Sequence, residues 1–142
     1  KLLKLLEKID QNLPESNGFT IYGGGLRILE DEPKHLKTVF EYVAKGGKFF
    51  LENVSSNRSH GAACAKETSL NYMRALVFID GGLKTDKALE EVSRHAAVVK
   101  KIGSGVLIFR SPKNAAEVIP SMVAGFDTTG IKIVPLSSLF VK

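Results

Sequence analysis

An α/β fold of parallel strands alternating with helices is the architecture this sequence predicts, and two patterns carry the prediction. Short apolar or β-branched runs stand at GFTIY (18–22), KFFLE (48–52), ALVFI (75–79), GVLIF (105–109) and IKIV (131–134). They recur about every 30 residues, the length of one strand–helix unit. The runs Leu76 to Ile79 and Val106 to Phe109 are continuously apolar rather than alternating, as strands covered on both faces require. Five such units make either an open doubly wound sheet or part of a barrel.

The helices between the runs carry their own punctuation. The opening KLLKLLEKID already shows a stripe, with Leu2, Leu5, Leu6 and Ile9 at i, i+3, i+4 and i+7. The first methionine is Met73, so the natural protein is expected to begin upstream of Lys1. Glu32-Pro33 opens the next helix, because a proline in the first turn gives up an N–H that has no intrahelical partner. Leu36, Val39, Phe40 and Val43 form its inner face, and Gly46-Gly47 stops it. Asp86 is placed to cap a long helix whose inner face is Leu89, Val92, Ala96 and Val99. Ser111-Pro112 starts a further helix with Ala115, Val118, Ile119 and Met122 inward; Gly125 ends it, and Pro120 should kink or shorten it. No linker or low-complexity stretch interrupts the chain, so residues 1–142 are read as a single domain.

Composition excludes several classes. The chain has 142 residues, 44% hydrophobic and 25% charged, enough apolar content to build a core and too much for disorder. No apolar run approaches the roughly 20 residues of a membrane helix, and no secretory signal opens the sequence. One cysteine, Cys64, rules out an internal disulfide and a cysteine-based zinc cluster. It falls among Ala62, Ala63 and Ala65, which reads as a packed helix face rather than a nucleophile. The net charge of +5 is spread along the chain without basic clusters beside aromatics, so nucleic acid is not the expected partner.

In parallel α/β proteins ligands gather beyond the carboxyl ends of the strands, which draws attention to Tyr22 to Gly25, Glu52 to Ser56, Asp80, Arg110, Ser111 and Pro135 to Ser138. Gly23, Gly24 and Gly25 form a turn that suits a phosphorylated ligand in principle. The dinucleotide fingerprint fails, however, because Ile28 stands where its third glycine belongs. Glu52 and Asp80 end the second and third runs and are the candidate acid–base or metal-binding carboxylates. The segment SSNRSHGAACAK gathers Ser55, Ser56, Ser59 and His60, which reads as a solvent loop with His60 near a helix start rather than a serine–histidine pair. His35 and His95 read as surface residues, and no two histidines have metal-ligand spacing. Arg110 is placed either to bind an anion or to bridge to Glu52 or Asp80.

Several segments together resemble a family. GFTIYGGG, GGKFFLENVSS, VFIDG, GSGVLIFRSP and TGIKIVPLSSLF stand in the order and spacing of the divergent polysaccharide deacetylases, bacterial NodB-like relatives of carbohydrate esterases. The resemblance covers nearly the whole chain as the carboxyl-terminal two-thirds of that domain; the family's first strand, with its Asp-Asp pair, would precede Lys1. It implies part of a distorted (β/α) barrel, carbohydrate metabolism, a divalent metal such as zinc that polarises an amide carbonyl and activates water, and an exported or periplasmic setting. Carried over by position, the family's Asn-His-Met-Gly-Ser falls on Ile21, Tyr22, Gly23, Gly24 and Gly25. Its Phe-Leu-Asp-Ser becomes Phe50, Leu51, Glu52 and Asn53, and its Phe-Leu-Asp becomes Phe78, Ile79 and Asp80. Its Gly-His-Pro falls on Phe109, Arg110 and Ser111. Both imidazoles are therefore replaced, by Tyr22 and Arg110, and a guanidinium in a ligand position repels a divalent cation.

The expectation that follows is a degenerate, non-catalytic deacetylase-like domain without a cofactor. Its cleft, formed by Tyr22, Gly23, Gly24, Gly25, Glu52, Asn53, Asp80, Arg110 and Ser111, would bind carbohydrate or a partner. Tyr22 would stack on a sugar face, and Arg110 would hold an anionic group. Two alternatives stand beside it. One is an active metal-dependent hydrolase using Glu52 and Asp80 with help from upstream residues. The other is an open α/β module binding a phosphorylated ligand at Gly23 to Gly25.

Overall fold

In the computed structural model, β1 (Gly18–Thr20), β2 (Phe49–Glu52) and β3 (Asn71–Arg74) lie in that order in one parallel sheet, and β4 (Val77–Asp80) pairs in parallel with β5 (Leu107–Arg110) in another. The structure describes residues 1–21, 25–53, 56–80, 84–110 and 115–140; at Gly25, Leu26, Val77, Phe78, Asp80, Arg110, Ala115 and Asp127 the description covers the backbone alone. The chain divides into two units, Lys1–Arg74 with the carboxyl-terminal Phe140, and Ala75–Leu139. Parallel strands joined through helices are the α/β alternation the sequence predicts.

In the first unit, α1 (Leu2–Asn12), α2 (Gly25–Glu30), α3 (Pro33–Lys45) and α4 (Gly61–Glu67) accompany the three strands. The α3 stripe behaves as its spacing requires: Leu36, Val39, Phe40 and Val43 are all buried, together with Phe50 of β2 and Cys64 and Ala65 of α4. The rings of Phe40 and Phe50 lie 4.6 Å apart, and burying one such side chain contributes roughly 1.5–3 kcal/mol. Pro33 opens α3, and Gly47 at φ +68° carries the turn that follows it. Glu32 makes no capping bond; its carboxylate pairs instead with Arg27 Nε at 2.9 Å and with His35. Phe49 stacks on Phe140 at 4.8 Å, which ties the end of the chain to β2.

In the second unit, α5 (Thr85–Ile102) and α6 (Ala115–Thr129) pack with the two strands around Ile79, Ala88, Val92, Ala96, Val118 and Phe126. A 3-10 helix, Leu136–Phe140, follows.

Several sequence expectations are corrected. The IKIV run is not a strand: residues 131–134 join no ladder, and Ile133 and Val134 are 57% and 44% exposed. The Ile131 N–H turns back to the Phe126 carbonyl at 3.2 Å, after Gly130 at φ +74°, so this residue closes a helix instead of opening a strand. β3 arises in NYMR, which no apolar run announced; its ladder to β2 supplies what local propensity does not. Among the described residues the predicted five-strand series therefore becomes five strands with a different membership, in two sheets. The first strand ends at Thr20, and β4 and β5 begin two residues later than their apolar runs.

The helix limits also move. In α1 only Leu6 of the predicted stripe is fully buried, while Leu5 and Ile9 are exposed. Asp86 does not cap α5; the cap position is Lys84, and Asp86 sits in the first turn, where a carboxylate complements the helix dipole. Gly125 does not end α6, which runs on to Thr129 without interruption at Pro120, and Ile119 faces outward. Ser111-Pro112 lies outside the described residues. His95 is half-buried rather than on the surface, 3.6 Å from Glu91, and burial lowers its pKa.

Candidate functional site

At the carboxyl end of β2 the chain places an acid inside the protein. Phe50 and Glu52 point to the same side of the strand, and both are buried. Phe50 joins the apolar core, so Glu52 is carried in beside it at 0% exposure. A carboxylate held there requires partners, and β3 delivers two of them. The register pairs Phe50 with Tyr72 and Glu52 with Arg74. Tyr72 Oη donates to Glu52 Oε2 at 2.7 Å, and Arg74 Nη2 approaches Glu52 Oε1 at 2.6 Å.

The third partner comes from the loop after β2. Ser59 Oγ donates to Glu52 Oε2 at 2.8 Å and accepts the Gly61 N–H at 3.0 Å, so one hydroxyl anchors both the carboxylate and the start of α4. Glycine at 61 is a steric necessity. A Cβ there would lie 2.0 Å from Glu52 Oε2 and 2.9 Å from Tyr72 Oη. A neighbouring acid organises the same loop: Glu30 at the end of α2 receives Ser56 and Arg58.

The electrostatics follow from burial and this close packing. The Tyr72 hydroxyl is held protonated well above its ordinary pKa of 10.0, first by burial and then by the Glu52 carboxylate it donates to. Burial works against the charge of Arg74, but the Glu52 carboxylate outweighs it and the net shift is upward. The Arg74–Glu52 approach is an ion pair without hydrogen-bond alignment, since Glu52 Oε1 and Arg74 Nε have no hydrogen-bond partner among the described residues. The Arg74 side chain is 36% exposed, so a guanidinium fixed from behind presents part of itself outward at the strand end.

One Glu52 oxygen accepts two hydroxyl donors and the other faces a cation, a setting that repels a divalent ion. Among the described residues no three His, Cys, Asp or Glu side chains could together hold a metal. The residues at Glu52 therefore do not fit the metal that the resemblance implies.

The other sequence candidates are placed as follows. Asn53 is half-buried directly after Glu52. Asp80 and Arg110 are Cα partners at the ends of β4 and β5, their side chains lying outside the described residues, and Glu52 is bridged by Arg74. Gly25 begins α2, while Tyr22, Gly23, Gly24 and Ser111 lie outside the described residues, as does Ser55. Ser59 and Ser56 turn inward onto acids instead of lying in solvent, and exposed His60 occupies the cap position of α4. Cys64 is buried in α4, and that burial raises its thiol pKa. Tyr72 and Arg74 were missed. Their i, i+2 spacing puts them on one strand face, a signal that becomes readable only once residues 71–74 are known to be a strand.

The comparisons agree with this fold. No curated protein matches the chain. The crystal structure of an uncharacterized protein from Agrobacterium tumefaciens C58 superposes with a TM-score of 0.74 at 28% sequence identity, covering 87% of this chain and 49% of that one. This chain thus spans about half the length of that relative. Residues 1–140 match the sequence model described as divergent polysaccharide deacetylase. The chain belongs to the divergent polysaccharide deacetylase family.

Proposed function

We propose that this deacetylase-like domain performs no metal-dependent hydrolysis and uses its strand-end surface to bind carbohydrate. The observation that carries the reading is Glu52. It stands where the family has an aspartate, yet it is fully buried and engaged by Arg74, Tyr72 and Ser59. Recruiting it as a ligand or base would strip a buried ion pair of one partner, a change that costs about 3–5 kcal/mol. The replacement of both family histidines, by Tyr22 and Arg110, supports the same reading. In this role the half-exposed Arg74 offers donors to sugar hydroxyls or carboxylates, and Tyr22 offers an aromatic face to a pyranose ring.

The test is a deacetylase assay on chito-oligosaccharide with added zinc, run beside a saturable binding measurement on the same sugar. The wild-type protein is expected to bind without releasing acetate, and Tyr22→Ala to weaken binding about tenfold, or ~1.4 kcal/mol. Zinc-dependent acetate release by the wild-type protein would overturn the proposal.

A further inference from the structure

We infer that the second unit binds a long-chain fatty-acid carboxylate in an apolar cavity lined by α5, β5, α6 and the segment after α6. The inference is independent of the carbohydrate reading above, which concerns the first unit. The cavity measures about 710 Å³, inside the range of roughly 300–1,000 Å³ typical of small-molecule sites. The space is a cleft open to solvent, and Ile133 and Val134 of its lining are 57% and 44% exposed. Contiguous apolar surface left exposed in a concave site is a mark of ligand binding.

The chemistry of the lining selects the class. Val99, Phe109, Met122, Phe126 and Leu136 supply aliphatic and aromatic surface. Met122 and Phe126 stand one turn apart on α6 and present a deformable wall, since methionine adapts to irregular shapes. Among the described residues, the charged groups of the lining are Lys100 and Lys132, and none is a carboxylate. Neither lysine forms an ion pair with a described residue. Both are exposed, which puts their ammonium groups at the solvent edge with the stems along apolar surface. An apolar body with an anionic head matches this distribution, and a fatty acid has that form.

The experiment compares palmitate, its methyl ester and hexadecylamine for displacement of a fluorescent fatty acid from the whole chain, below micellar concentrations. Palmitate is expected to bind with a dissociation constant on the order of micromolar and about tenfold more tightly than the ester, with the amine weakest. Lys100→Ala/Lys132→Ala, a change at exposed positions, is expected to remove the preference for palmitate over the ester. Met122→Trp or Val99→Phe, each checked for folding by circular dichroism, is expected to abolish binding by filling the space. No palmitate binding up to about 100 μM, or equal affinity for all three compounds, would overturn the inference. Unchanged binding in a folded filling variant would overturn it as well. The wild-type series alone can do so if neither filling variant folds.

Discussion

The two sheets end on the same acid–arginine register pairing and are backed by side chains of different size. β2 and β3 end in the register pair Glu52 and Arg74; β4 and β5 end in Asp80 and Arg110. In the first unit the space behind that end holds large side chains, with Leu36, Phe40, Val43 and Phe50 wholly buried. In the second, α5 brings Ala88 and Ala96 to the core, and solvent-open clefts of about 710 Å³ and 390 Å³ run along α5 and α6. The lesson is about residue size. The same strand–helix alternation gives a tight polar anchor where aromatics back it, and leaves solvent-open clefts along the helices where small residues such as Ala96 form the wall.

The largest expected effect separates the two units directly. Phe40→Ala should cost about 4 kcal/mol in denaturant unfolding, because its dense surroundings leave a void. Met122→Ala, beside existing space, should cost nearer to 1 kcal/mol. Equal costs would erase the contrast in packing. Next comes Gly61→Ala, expected to destabilise by about 3 kcal/mol because its Cβ would collide with the Glu52 carboxylate and force the anchor apart. A fully stable variant would mean that α4 does not press on Glu52.

Smaller effects probe charge. Tyr72→Phe should cost about 1 kcal/mol through the lost hydrogen bond and change the alkaline limb of stability. Because folding raises the Tyr72 pKa, its contribution is complete below the unfolded value near 10.0 and declines as the pH rises through the folded value. Above pH 10 the wild-type protein should therefore lose stability more steeply than the variant. His95 gives the opposite limb in the second unit. Burial, with a smaller contribution from Arg94, lowers its pKa. Its contribution is present above the unfolded value of 6.5 and is lost as the pH falls through the folded value. His95→Gln should change neutral-pH stability by less than about 0.5 kcal/mol and flatten the acid limb; an unchanged limb would assign that sensitivity to other groups.

The contrast between the units also explains how legible each was. The α3 stripe and the apolar centres of β4 and β5 are periodic or continuous over several residues, so local pattern suffices. NYMR and IKIV show where it fails. The first is polar and becomes a strand because β2 lies beside it; the second is β-branched and stays outside any ladder because a strand exists only with a neighbour. The site divides the same way. Glu52 could be chosen from the sequence as an acid at a strand end, but its partners could not. Ser59, Tyr72 and Arg74 meet it through a loop reversal and a ladder register, neither of which is encoded within a short window. Family resemblance supplied the fold, and the buried carboxylate bears on the chemistry.

The most direct measurement is the divalent-metal content of the full-length protein, purified without chelator and then dialysed against zinc. The account predicts no stoichiometric metal, because Glu52 is held by Arg74 and both family imidazoles are replaced. One equivalent of tightly retained zinc per chain, lost on Glu52→Gln, would contradict it.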